Sequence, residues 1–198
     1  MKSIAVYCGS SDRVAEEYLQ VARKVGKVLA EKGIRVVYGA GSTGMMGAVA
    51  TAAMEAGGEV FGVMPEMFNT PQLALPTTTR FEVLPDMHTR LARMMDLADG
   101  FIALPGGYGT MDEFFQTITW AQVGLHQKPI GLLNHGGYYD LLIKFMAQIE
   151  LEGFIYAGHN GLYVAAGTPE ALLEAMEGYS PPPGLNQWVE RDLSSPEG

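Results

Sequence analysis

Nine residues in the middle of the chain, Pro105-Gly106-Gly107-Tyr108-Gly109-Thr110-Met111-Asp112-Glu113, stand between the apolar run Phe101 to Leu104 and a helical pattern from Phe114 to Val123. Strand, glycine turn and helix in that order predict an anion site. Glycines let backbone N–H groups approach a phosphate closely, and the helix aims its positive end at the same point. A carboxylate at a fixed place in the first turn makes the set more specific than a lone glycine motif. Thr110-Met111-Asp112-Glu113 also has the form of a capping box, with Thr110 capping the helix and Glu113 reaching back to its backbone. That structural alternative would explain the pair without catalysis.

A second candidate lies in the segment after Asp86. Met87, Leu91, Met94, Met95 and Ala98 define a buried stripe at ~100° per residue. Arg90 falls roughly 80° from its centre and Arg93 roughly 140°. Arg90 is thus expected at the edge of the core, presenting its guanidinium fork to a phosphate or ribose, and Arg93 in solvent.

These residues need a scaffold. Strand-like runs at Ile4 to Cys8, Ile34 to Tyr38, Val60 to Met64, Phe101 to Leu104 and Pro129 to Leu133 alternate with helical patterns at roughly 14–31, 45–56, 86–98, 111–124 and 138–150. Phe81 to Leu84 and Leu162 to Ala165 are weaker strands, and Pro169 to Met176, capped by Thr168, is a last helix. Such alternation predicts an α/β fold with a mostly parallel sheet. Ligands of such sheets sit beyond the strands' carboxyl ends. Three of these ends carry glycine or hydroxyl residues: Cys8-Gly9-Ser10-Ser11, Gly39-Ala40-Gly41-Ser42-Thr43-Gly44, and Gly106 to Thr110. Converging on one edge, they would cradle a nucleotide phosphate and ribose.

With 198 residues, 47% apolar and 18% charged, the chain suits one soluble domain, expected over residues 1–178. Residues 179–198, opening with Ser180-Pro181-Pro182-Pro183-Gly184 and ending polar, read as a surface tail that Trp188 pins down. A net charge of −9 disfavours nucleic acid and anionic membranes as partners. The lone Cys8 sits in an apolar run and reads as a buried thiol. With no basic leader ahead of the first strand and no apolar run of about 20 residues, the chain is expected in the cytoplasm.

Several chemistries find little support. His88, His126, His135 and His159 lack metal-ligand spacing, so no metal is expected. Gly39 to Gly44 matches the glycines of a dinucleotide fingerprint, but Glu59 begins the following strand instead of ending it.

The strings Met87-His88-Thr89-Arg90, Ala98 to Leu104, Pro105 to Glu113, Thr119-Trp120-Ala121-Gln122 and Lys128 to Asn134 together resemble the LOG ("lonely guy") family, the cytokinin riboside 5′-monophosphate phosphoribohydrolases often mislabelled lysine decarboxylases. The likeness runs from Ala5 to about Met176, and the P-G-G-x-G-T-x-x-E signature is complete. It implies a Rossmann-like three-layer sandwich, at least a homodimer, no cofactor, and hydrolysis of the N-glycosidic bond of an N6-substituted AMP to free base and ribose 5-phosphate. The family's catalytic pair falls on Arg90 and Glu113. Substrate-binding positions are expected at Ser10, Gly41, Ser42, Thr43, Gln72, Met87, Gly106, Gly107, Tyr108, Gly109, Thr110 and Thr119. Three positions depart from the family pattern: Leu91 replaces a lysine, Ala40 a glycine and Gln72 an acidic residue.

Breaking a ribosyl C–N bond builds positive charge on the sugar and negative charge on the departing base. Glu113 is expected to stabilise the oxocarbenium-like state and position water, and Arg90 to supply charge and orientation. Lysine decarboxylation finds no convincing strand-end lysine for a Schiff base among Lys2, Lys24, Lys27, Lys32, Lys128 and Lys144. The alternative is a non-catalytic nucleotide or molybdenum-cofactor carrier using the same cradle. Phe114, Phe115, Ile118, Trp120 and Val123 offer an apolar face that would serve a homodimer.

Overall fold

The computed structural model describes residues 1–185. Seven strands, β1 (Ser3–Tyr7), β2 (Arg35–Tyr38), β3 (Val60–Pro65), β4 (Arg80–Leu84), β5 (Gly100–Ala103), β6 (Ile130–Leu133) and β7 (Val164–Ala166), form one parallel sheet in the order β4-β3-β2-β1-β5-β6-β7. Six helices cover it: α1 (Glu16–Glu31), α2 (Gly44–Glu55), α3 (Met87–Leu97), α4 (Tyr108–Gln122), α5 (Asp140–Leu151) and α6 (Pro169–Glu177). The fold is therefore the α/β fold with a parallel sheet that the alternating pattern predicts and the three-layer sandwich that the resemblance implies, with every strand pairing parallel.

Central strands read as continuous apolar runs because both faces are covered. Ile4 and Val6 join the core of α1, α2 and α6, while Ala5 and Tyr7 join that of α3, α4 and α5. Strands β4 and β7 lie at the two edges, which is why their sequence signal is weak. In β4, Arg80 and Val83 are exposed and the other three residues half-buried. Leu162 belongs to a 3-10 turn, His159–Leu162, ahead of β7.

The chain steps outward from β1 to β4 and then returns to the other side of β1 to lay down β5. That reversal opens a crevice at the carboxyl ends of β1 and β5, where α/β sheets seat their ligands. No α-helix covers the crossover from β3 to β4, which holds only a 3-10 turn, Glu66–Phe68. Residues 66–79 form a strap instead, pinned to the β2–α2 loop by Ser42 N–H to the Leu73 carbonyl, 2.8 Å, and Leu75 N–H to the Ala40 carbonyl, 2.9 Å.

Two expectations change. The segment from Tyr179 is not simply a surface tail, because Leu185 is buried in the core cluster that holds Phe114 and Tyr163. Trp188 lies outside the described residues. On α4, Phe114 and Ile118 are buried, while Phe115, Trp120 and Val123 are half-buried. Large exposed apolar side chains gather instead on α5 and just beyond it, at Leu141, Phe145, Leu151, Phe154 and Tyr156.

Candidate active site

A cavity of about 630 Å³ fills the crevice, a volume suited to a nucleotide-sized molecule. Its floor is an ion pair. Arg90, on the second turn of α3, places Nη1 2.7 Å from Oε1 of Glu113 on α4, and both residues are buried, 6% and 7% exposed. Arg90 donates through Nε to the Val63 carbonyl, 3.1 Å. The fork expected to face a ligand is thus largely spent inside the protein, on Glu113 and β3. Its remaining nitrogen, Nη2, lies so close to Gly39 that a Cβ there would sit 2.0 Å from it. Arg93 is not free in solvent either: it pairs with Glu82 at 3.1 Å against the edge strand β4.

Asp86 starts α3 with a capping box shared with Thr89, which sets the rotation that carries Arg90 inward. Helix α4 starts differently from the sequence expectation. Its first residue is Tyr108 and its cap is Gly107, with no side-chain capping bond. Thr110 and Glu113 therefore form no capping box. Glu113 stands in the second turn, where its side chain points to Arg90 rather than back to the helix end. Thr117 donates to the Glu113 carbonyl, 2.7 Å, and shares a hydrogen bond with the Tyr7 hydroxyl, 3.1 Å. This buried chain ties the Glu113 turn to β1.

Burial pushes the Glu113 carboxyl above the usual glutamate range, the Arg90 guanidinium pulls it back, and neighbouring Asp112 adds to the rise. Oε2 of Glu113 takes no hydrogen bond from the described residues. That leaves its lone pairs for a water or a ligand hydroxyl. Burial likewise holds the Cys8 thiol far above its ordinary range, so this cavity-lining side chain is a neutral thiol.

The two helix N-termini at the crevice are not equivalent. On α2, the Gly44 amide donates to Asp12 Oδ1, 2.8 Å, and the Met45 amide to the Gly9 carbonyl, 3.0 Å. An incoming phosphate would meet occupied donors and a carboxylate there. On α4 the amides from Tyr108 to Thr110 have no preceding turn to bond and no capping side chain. Of these two helix starts, α4 is the one whose amides stay open to an anion.

Of the expected binding positions, Ser10, Gly41, Thr43, Met87, Gly106, Gly107, Tyr108, Gly109 and Thr110 line the cavity. Ser42, Gln72 and Thr119 do not. Ser42 turns its hydroxyl to the Gln72 carbonyl, Gln72 is exposed on the strap, and Thr119 bonds the Phe115 carbonyl on the outer face of α4. Sequence reasoning missed the apolar wall of Met45, Met46, Met64, Phe68 and Leu73, and also Tyr18 and Tyr138. Ala40, where the family pattern has glycine, adopts a left-handed backbone, φ 59°, a conformation costing a non-glycine residue roughly 1 kcal/mol.

Fold and crevice define a Rossmann-like α/β protein whose switch-point cavity offers a helix N-terminus and a buried acid. A family model described as "Possible lysine decarboxylase" matches residues 46–176. The chain is 43% identical over 91% of its length to "Probable cytokinin riboside 5′-monophosphate phosphoribohydrolase LOGL3" of Oryza sativa subsp. japonica, covering 85% of that protein. It is 42% identical over 90% of its length to cytokinin riboside 5′-monophosphate phosphoribohydrolase LOG4 of Arabidopsis thaliana, covering 83% of it. The molybdenum cofactor binding protein of Rippkaea orientalis shares the fold, with a TM-score of 0.68, 19% identity, and coverage of 90% of this chain and 97% of that one. The chain belongs to the LOG family.

The description of the family model would imply pyridoxal phosphate, which forms a Schiff base with a lysine. The residues present do not fit that group. No lysine lines the cavity, and Lys128 spends its ammonium on the Met95 carbonyl, 2.7 Å.

Proposed function

We propose that this protein hydrolyses the N-glycosidic bond of N6-substituted adenosine 5′-monophosphates, releasing the free base and ribose 5-phosphate. The observation that carries this reading is the buried Arg90–Glu113 pair on the floor of a cavity whose opposite requirement, an anion seat, is met by the open N-terminus of α4. The activities for which the LOGL3 and LOG4 relatives are named support it.

With the phosphate on the amides of Tyr108 to Thr110, the ribose lies over Glu113. Its carboxylate faces the positive charge that grows at C1′ as the bond to N9 breaks. Free Oε2 positions the water whose oxygen bonds to C1′ and takes the water's proton, while the base departs with the bonding pair and takes a proton at nitrogen from solvent, to which Glu113 afterwards releases its own. Arg90, donating to Oε1, favours the ionised form against the effect of burial and keeps the carboxylate aimed. It cannot act as a general acid, since a guanidinium does not release its proton in a protein. The methionine-rich wall, with Phe68 and Leu73, gives a flexible apolar surface on which an N6 hydrocarbon substituent can pack.

The test is base release from N6-isopentenyl-AMP, AMP and the matching nucleoside. Release should be fastest from the N6-isopentenyl nucleotide and far slower from the nucleoside, which lacks the charge-assisted bonds to α4. Comparable rates on nucleoside and nucleotide would overturn the phosphate site. Preference for plain AMP would make the protein an AMP nucleosidase, and binding without release would favour a carrier.

A further inference from the structure

Three successive carbonyl groups of the glycine turn are each tied to a donor on a neighbouring element. The Leu104 carbonyl accepts from the Tyr139 hydroxyl, 2.6 Å, the Pro105 carbonyl from the Gly9 amide, 3.2 Å, and the Gly106 carbonyl from the Tyr138 hydroxyl, 2.9 Å. Both tyrosines come from the turn between β6 and α5. Asn134 at the end of β6 holds that turn, accepting from the Tyr139 amide, 2.7 Å, and donating to Asp140, 2.7 Å. The Tyr138 ring is braced edge-on against Tyr18 and Tyr139, with ring centroids 5.7 and 4.8 Å away.

The peptide between Gly106 and Gly107 is the vulnerable one. Neither residue has a Cβ to oppose rotation of the peptide plane, so both orientations are open to it. In a trans peptide the C=O and N–H point opposite ways. A flip would therefore exchange a donor for an acceptor beside the anion seat, and a carbonyl oxygen facing a phosphate repels it. The Tyr138 hydroxyl holds the Gly106 carbonyl and so fixes which way the Gly107 N–H points.

We propose that Tyr138 is a positioning residue, a latch on the Gly106–Gly107 peptide that makes the turn accept a phosphate and so sets the preference for nucleotide over nucleoside. This rests on the hydrolase reading only for the identity of the ligand; the latch concerns phosphate recognition alone. Tyr139 supplies the control. Its bond goes to Leu104, and the following residue, Pro105, has no N–H to present, so losing that bond disturbs packing without reversing a donor.

The experiment titrates wild type, Tyr138→Phe and Tyr139→Phe with ribose 5-phosphate and with ribose, neither of which is consumed, alongside nucleotide kinetics and melting. Tyr138→Phe removes one oxygen from a half-exposed ring, so its melting should match wild type. Its affinity for ribose 5-phosphate should fall roughly 3- to 10-fold, the effect of one hydrogen bond, with KM for the nucleotide rising alike, kcat kept, and ribose binding unchanged. Tyr139→Phe should melt lower yet keep the wild-type margin of ribose 5-phosphate over ribose. Equal ribose 5-phosphate affinity in wild type and Tyr138→Phe, or equal losses for both ligands, would overturn the latch and leave the hydrolase standing. A wild type with no margin for the phosphate would overturn it too. A wild type that releases no base, but whose phosphate margin shrinks in Tyr138→Phe, would reject the hydrolase and support the latch.

Discussion

In the proposed hydrolysis Glu113 owes its effect to where it is buried. A carboxylate in water gains little by facing a cation, but one held in a low-dielectric floor with Arg90 2.7 Å away interacts strongly with charge that appears above it. Glu113→Gln removes that charge while keeping an acceptor for Arg90. Base release should fall by on the order of 10² to 10⁴. Melting should fall as well, by an amount approaching the roughly 3 kcal/mol typical of breaking a buried pair, because Arg90 keeps its charge without a counter-charge. Near-wild-type turnover would reject Glu113 as the catalytic carboxylate. Since the ionised form is the active one and burial raises its pKa, the acid limb of the kcat/KM profile should lie above the ordinary glutamate value. Arg90→Met withdraws the opposing pull and should move that limb to still higher pH; an unmoved limb would show that another group titrates there. The glycine signature and the arginine spacing made both residues legible in the sequence. Their direct ion pair was not, because an α3-to-α4 contact across 23 positions leaves no periodic trace.

At the scale of elements, what matters is which ends are open. A Thr-x-x-Glu string looks like a helix start, yet α4 begins two residues before Thr110, where Gly107 caps it without a side chain. Such a cap is invisible to a search for capping residues, and it leaves the anion seat clear. Helix α2 shows the opposite outcome, since Asp12 from the loop between β1 and α1 already fills its end. Gly39 links the loops to the ion pair. A Cβ there would meet the far end of Arg90, a flexible group that moves more cheaply than backbone. Gly39→Ala should therefore melt within a few degrees of wild type but lose on the order of 10² in kcat, since a displacement of about 1 Å at a catalytic group costs that much. Full activity in this variant would show that Arg90 tolerates displacement and plays no positioning part.

The layering of the whole molecule was legible from strand–helix alternation, because the two helical layers demand apolar runs in the strands between them. The order of the strands was not, since nothing in the residues of β4 announces that the chain turns back to β1. The strap of residues 66–79 is where the pattern broke, and there the sheet edge and the cavity wall were both underread. The same holds for the outer surface. Of the five residues around α4 first assigned to an interface, Phe114 and Ile118 are core and the other three half-buried, whereas Leu141 and Phe145, one turn apart on α5, are 79% and 58% exposed, followed by Leu151 and Phe154 at 79% and 81%. A soluble monomer rarely leaves so many large apolar groups in one stretch of chain facing water. A second copy meeting this face about a two-fold axis would cover them, and the −9 charge of each chain would be tolerated because the face is largely apolar. Sedimentation at micromolar concentration should thus give about twice 21.4 kDa, and Leu141→Asp with Phe145→Lys should return the mass to one chain while leaving the folded signal intact. A wild type sedimenting as a single chain would overturn the assembly. A dimer that survives the double substitution would move its interface off α5.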